Sequence, residues 1–283
     1  MDTLLEPFRY EFFRNALVVA TLAGALCGLV GVYVVLRGMS YVGHGLSHAI
    51  FGAAIAFYAV GISFLLGGAI GGLVSAVLIL LIARRRSIGA DAAIGVITSA
   101  AFAFGIVILT GIGTFTRNLD AALFGNVLGV TPADVIAVGV VTIATGLTVF
   151  LRYRQLLFTT FDPEVAEVSG VSTVANDILL AIMLTALITV CMSVLGVTLI
   201  AAMLVIPPVI GRLLTDSFHK MLWISVVVGT VCGFVGVYLS YYLNWASGPA
   251  VVLTAAVLFA IAYGVSSVKR RMLPEAALDT QVE

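Results

Sequence analysis

Long apolar runs, interrupted by a few charged or glycine-rich stretches, dominate the pattern of this chain. A helix needs about 20 apolar residues to cross roughly 30 Å of hydrocarbon. Reading from charge to charge predicts spans near Asn15–Leu36, Asp91–Gly111, Pro132–Leu151, Met221–Leu243 and Gly248–Ser266. Two further stretches are long enough for two spans each. No Asp, Glu, Lys or Arg occurs between Gly43 and Ala83, where Gly61 and the Gly67-Gly68 region offer a turn; between Val174 and Leu214 the break falls near Gly196. The pattern predicts an all-α polytopic membrane protein of about nine transmembrane helices, or eight if one short glycine-rich piece is re-entrant.

Composition agrees with this pattern. Of 283 residues, 61% are apolar and only 10% charged, whereas soluble domains carry about 25% charged residues. A water-soluble enzyme is therefore excluded, and 14 basic against 14 acidic residues leave no net field to hold nucleic acid. Basic residues are retained on the cytoplasmic side of a membrane. With nine spans, 11 of the 14 Lys and Arg residues, Arg37, Arg84–Arg86, Arg152, Arg154, Arg212, Lys220, Lys269, Arg270 and Arg271, share one side, against Arg9, Arg14 and Arg117 on the other. The N-terminus is expected outside and the C-terminus in the cytoplasm. This divides the chain into an extracytoplasmic segment 1–14, a transmembrane domain 15–266 with a long cytoplasmic loop 152–173, and a cytoplasmic tail 267–283. Residues 1–14 lack the basic-then-apolar order of a cleavable signal. Cys27, Cys191 and Cys232 lie in apolar runs without CxxC spacing, so neither a disulfide framework nor a zinc knuckle is expected.

Polar groups inside the spans carry the chemistry. Arg37-Gly-Met-Ser-Tyr-Val-Gly-His-Gly-Leu-Ser-His48 turns the chain after the first span and enters the second with His44 and His48 four residues apart. On a helix this spacing stacks the two side chains on one face, about 5–6 Å apart at Cβ, close enough for both imidazoles to reach one ion. Imidazole is a leading ligand for Zn, Fe, Ni and Cu, while Mn prefers more oxygen. The competing reading is that each ring bonds a backbone carbonyl exposed by Gly43, Gly45 or Gly52. Ionisable groups within a membrane mark pathways, and two of the chain's three histidines on one face favour the ligand reading. His219, beside Lys220 in a basic loop, reads as an ordinary surface residue.

In the loop 152–173, Asp162 can N-cap a helix that begins at Pro163, with Glu164 in its first turn and Gly170 at its stop. This forms a short helix displayed at the membrane surface. It is either a solvated amphipathic loop or a docking element for a partner. Farther along, the adjacent Pro207 and Pro208 are expected to interrupt a span near its cytoplasmic end as a kink or gate, because proline removes helix hydrogen bonds. No GxxxxGK[ST], HExxH or GxSxG motif occurs, so phosphate-binding and hydrolytic chemistry are not expected of this chain. Asp91, Asp134 and Asp177 fall at span starts, where helix capping accounts for them. Cys27-Gly-Leu-Val-Gly-Val-Tyr33 and Cys232-Gly-Phe-Val-Gly-Val-Tyr238 echo one another, and no function is placed on that echo.

In chain order, these segments resemble the membrane permease subunit of the bacterial zinc/manganese/iron ABC importer family. The resemblance runs from about Phe12 to Ser266. It rests on Leu-Arg-Gly-Met-Ser-Tyr-Val-Gly-His-Gly-Leu-Ser-His-Ala (36–49), Leu-Phe-Gly-Asn-Val-Leu (123–128), Asp-Pro-Glu-x-Ala-x-x-x-Gly-Val (162–171), Gly-Val-Thr-Leu-Ile-Ala-Ala-Met-Leu-Val-Ile-Pro (196–207) and Ser-Gly-Pro-Ala-Val-Val-Leu (247–253). The resemblance implies a type II ABC importer-like permease in the bacterial inner membrane. It would act as a homodimer among membrane lipids, with a cytoplasmic ABC ATPase dimer and an extracytoplasmic metal-binding protein. It would hold no tight cofactor and would carry a divalent transition metal as cargo. Asp162, Glu164, Ala166 and Gly170 would then form the helix seated on the ATPase. Family members often carry Asp-x-x-x-His where this chain has His44-x-x-x-His48, which favours His48 as a ligand and weakens a manganese assignment. Two other readings are an ATPase-independent secondary transporter or channel, and an ABC permease for a non-metal nutrient.

Overall fold

The computed structural model describes residues 6–83, 90–112, 123–126 and 129–272. Arg84–Arg86 and Arg117 of the charge count, and the tail from residue 273, lie outside the described residues, as do the side chains of residues 269–272. A short 3-10 turn, Glu6–Arg9, leads into α1 (Glu11–Leu36), α2 (Ser40–Ala59), α3 (Phe64–Ala83), α4 (Ala90–Ile112), α5 (Pro132–Phe161), α6 (Pro163–Val168), α7 (Thr173–Leu195), α8 (Val197–Leu214), α9 (Phe218–Leu243) and α10 (Ser247–Met272). Among the described residues nine helices, all but α6, are long and apolar enough to span a membrane.

The breaks between spans fall where the backbone needs glycine. Gly38, Gly61 and Gly196 adopt φ of 67°, 85° and 78°, a left-handed region that side chains with a Cβ enter at a cost. Gly67 and Gly68, expected near the turn, instead lie within α3 and let it approach α2: a Cβ on Gly67 would stand 2.4 Å from the Phe57 Cβ. The fifth span also departs from expectation. The sequence placed its end at Leu151, whereas α5 continues to Phe161, carrying Arg152 and Arg154 on a helical extension beyond the apolar segment. Nothing breaks the helix until Asp162, whose non-helical backbone (φ −145°, ψ 80°) avoids the α region that a following proline disfavours. At its start, Thr131 and Asp134 form a reciprocal capping box.

α1 is the central column, packed by α9, α8, α5 and α7. Against α9 it comes to backbone contact: a Cβ at Gly24 would lie 2.0 Å from the Gly229 carbonyl oxygen, one at Gly28 2.3 Å from that of Ser225, and one at Gly233 2.1 Å from that of Ala20. Small residues permit such approach within a membrane, where no hydrophobic effect drives helices together. Outward-facing rows on α5 (Ile136, Val140, Ile143, Leu147) and α10 (Leu253, Val257, Ile261) are exposed and apolar, suited to acyl chains.

Candidate functional site

α2 and α4 run side by side and are also brought together by glycine. A Cβ at Gly52 would meet the Ala101 carbonyl oxygen at 2.4 Å, and one at Gly105 the Gly52 carbonyl oxygen at 2.2 Å. Toward the N-terminal ends of both helices the seam opens into a cavity of about 650 Å³, lined by Tyr41, His44, His48, Asp91, Thr98 and Phe102 among others. The floor is close-packed, since a Cβ at Gly45 would lie 2.4 Å from Ile94 Cγ2.

His44 and His48 face this cavity together, their ring centroids 4.7 Å apart and their planes at 78°. His44 is exposed and His48 half-buried, with the edge-on Phe102 ring 5.3 Å away. Among the described residues neither ring bonds a backbone carbonyl, so the satisfied-histidine reading does not describe them. The neighbouring hydroxyls are engaged elsewhere: Ser47 Oγ donates to the His44 carbonyl at 2.8 Å and Thr98 Oγ1 to that of Ile94 at 2.7 Å. Two imidazoles with nitrogen lone pairs on an open cavity can bind a borderline cation. Among the described residues no group of three or more His, Cys, Asp and Glu side chains gathers closely enough to enclose a metal, so the arrangement within one chain is open.

Sequence reasoning missed Asp91 as a member of this cavity. Its place in the first turn of α4 suits a carboxylate, but nothing local links residue 91 to residue 44; only the α2–α4 pairing does. Asp177 also differs from the capping role expected of it. Ser172 caps α7, accepting from Ala175 N at 3.2 Å, while Asp177 accepts from Arg37 Nη1 at 2.6 Å.

The short helix α6 forms between the ends of α5 and α7. Asp162 Oδ1 accepts from Val165 N at 3.0 Å, Pro163 occupies the first turn, and Gly170 ends the turn at φ 81°. Ala166 is fully buried and anchors the segment, leaving Glu164, Val165 and Val168 exposed. Exposed apolar and acidic side chains thus stand together on one short capped helix. The proline pair, in contrast, does not interrupt its span: α8 runs unbroken from Val197 to Leu214 with Pro207 and Pro208 buried inside it. Proline leaves the carbonyl four residues earlier without its helical donor. For Pro208 that carbonyl belongs to Leu204, and Gly31 of α1 packs on it, its Cβ position 2.1 Å from the oxygen and 2.8 Å from Pro208 Cγ. Packing of α1 against α8 thus covers the carbonyl that Pro208 frees, and the helix continues through both prolines. His219 is exposed and accepts from Trp223 Nε1 at 3.2 Å, away from the cavity.

The family described as the ABC 3 transport family matches residues 9–266. The chain belongs to that family. It is therefore a multi-pass membrane protein of an ABC transport system. Among its relatives, the manganese transport system membrane protein MntC of Halalkalibacterium halodurans is 35% identical over 262 residues, covering 93% of this chain and 89% of MntC. A Haemophilus influenzae protein named "Probable iron transport system membrane protein" is 34% identical, covering 95% of this chain and 99% of its own length. The solved structure of PsaBC from Streptococcus pneumoniae in complex with Fab superimposes with a TM-score of 0.84 at 32% identity, covering 92% of this chain and 94% of that one. The ABC 3 fold thus extends over nearly the whole chain.

Proposed function

We propose that this chain is the permease subunit of an ABC importer that carries a divalent transition metal ion, Zn, Mn or Fe, into the cytoplasm. Its N-terminus lies outside and its C-terminus inside. The observation that carries the reading is the His44–His48 pair facing an open cavity, ring centroids 4.7 Å apart, in a chain whose relatives include manganese and iron transport proteins. Transport needs a site strong enough to accept the ion and weak enough to release it. Two imidazoles on an open cavity suit that need better than a closed tetrahedral set, which would retain zinc.

In this reading the chain holds no resident cofactor and hydrolyses nothing. A cytoplasmic ATPase dimer seats on α6 through Asp162, Glu164, Ala166 and Gly170, and an extracytoplasmic binding protein delivers the ion. Two copies of the chain face each other across the path. The unbroken α8, with Pro207 and Pro208 packed against α1, flexes as one lever of the gate. Nitrogen at His44, where the family often has carboxylate, favours zinc or iron over manganese. The test is ATP-dependent uptake into proteoliposomes containing the chain, its candidate ATPase and its binding protein, with a Zn, Mn and Fe panel. Saturable uptake of one ion is expected. ATP hydrolysis with no uptake of any of the three returns the histidines to a structural role and the cargo to a non-metal nutrient.

A further inference from the structure

We infer that Arg37 is a positioning residue that links the α6 segment to the histidine-bearing helix, so that displacement of α6 reaches the cavity through one guanidinium. The inference rests on the ATPase-driven reading above. Arg37 closes α1 and, with Gly38, turns the chain into α2. Its side chain is only 10% exposed. Nη1 donates to Asp177 Oδ1 at 2.6 Å, Nη2 to Thr159 Oγ1 at 3.1 Å and Nε to Thr160 Oγ1 at 3.2 Å. Thr159 and Thr160 form the last turn of α5, just before α6, and Asp177 lies in α7, just after it. The planar fork of arginine therefore bridges both flanks of the docking helix at once, which a point charge could not do.

The threonines are built to receive it. Thr159 Oγ1 donates to the Gln155 carbonyl at 3.0 Å and Thr160 Oγ1 to that of Leu156 at 2.6 Å, leaving their lone pairs to the guanidinium. A partly buried ion pair is weak grounds for a stabilising role, but a multidentate arginine fixes geometry well. On the other side of Arg37, α2 begins at Ser40, and His44 sits about 6 Å along its axis. Arg37 and Asp177 also border an apolar void of about 110 Å³, lined further by Leu46, Ile94, Leu180 and Leu184. Ile94 lines the histidine cavity as well. A close-packed interior resists small shifts, so a void that borders Arg37, Asp177 and the α2 residues Val42 and Leu46 leaves α2 room to follow Arg37.

The test replaces the pair by an apolar one, Arg37→Met with Asp177→Leu, so that neither member of the pair is left without the other. Reconstituted with the ATPase, this variant is expected to hydrolyse ATP and to bind Zn at the cavity as the parent does. Its uptake per ATP should fall about tenfold, and Arg37→Lys, which keeps the charge without the fork, should fall between. A second readout needs no cargo. A cysteine at Ser99, which lines the cavity, is labelled with a thiol reagent with and without nucleotide trapping; Cys27, Cys191 and Cys232 are buried. The labelling rate should respond to nucleotide with Arg37 present and not in the double variant. Full retention of the response and of uptake per ATP overturns the link alone. Absence of any response in the parent overturns the ATPase-driven reading and the link with it. Failure of the double variant to assemble, with parental coupling in Arg37→Lys, assigns the cluster to folding and also overturns it.

Discussion

The α1–α9 and α2–α4 seams are built with the same device and come to opposite ends. In the first, Gly24, Gly28, Gly229 and Gly233 alternate along an antiparallel pair, and each meets backbone on the other helix. Close approach persists from Ala20 to Gly28, about two turns, and the pair becomes the fixed column of the bundle. In the second, Gly52 and Gly105 bring two parallel helices to backbone contact at one level, but toward the N-terminal ends the helices part around an open cavity where His44, His48, Tyr41 and Asp91 stand beside Gly45 and Gly95. The backbones part where larger polar side chains share the seam with its glycines, and the room between the helices is where a path for the ion would lie if the cavity carries it.

One substitution made in both seams tests this contrast most directly. Gly24→Ala places a Cβ 2.0 Å from a carbonyl oxygen. It should separate α1 from α9 at a cost of about 3 kcal/mol, read as loss of the monodisperse protein in detergent. Survival of that protein would remove the α1–α9 seam from its scaffold role. His48→Ala is expected to leave assembly intact while lowering metal uptake roughly a hundredfold, equal to about 2.7 kcal/mol; wild-type uptake would deny the open seam its role. Glu164→Lys, on the exposed helix α6, should leave metal binding unchanged and reduce uptake per ATP about threefold, as an exposed docking charge would. The smallest effect belongs to Gly95→Ala in the open part of the α2–α4 seam, where nothing lies within 4 Å of the new Cβ. Stability there should change by less than about 1 kcal/mol, in the direction of gain from helix propensity, and thermal unfolding measures it.

Local features of this protein were legible from its residues. The breaks at Gly61 and Gly196, the capped start of α6 at Asp162-Pro163 and the shared face of His44 and His48 depend on neighbours within a few positions, and all three appear where the spacing puts them. Features that depend on distant partners were not. Arg37 reads as one more basic residue retained in the cytoplasm and Asp177 as a capping residue, yet they meet across 140 positions. Pro207 and Pro208 read as an interruption, a kink or gate, because the carbonyls they free have no local partner, whereas the helix is continuous and Gly31, on another helix, packs on the Leu204 carbonyl freed by Pro208.

The sequence by itself determined the class of this protein, its spans and the pairing of its imidazoles. Apolar run length sets whether a segment can cross a bilayer, and helical spacing sets which side chains share a face. The tertiary structure decided which faces meet: that α4 brings Asp91 to the histidine cavity, that α1 holds α9 by backbone contact, and that one arginine joins the flanks of α6 to the start of α2. Between membrane helices no hydrophobic effect selects the partner. Van der Waals fit and hydrogen bonds do so, and these are properties of two surfaces together, written in no single stretch of the chain.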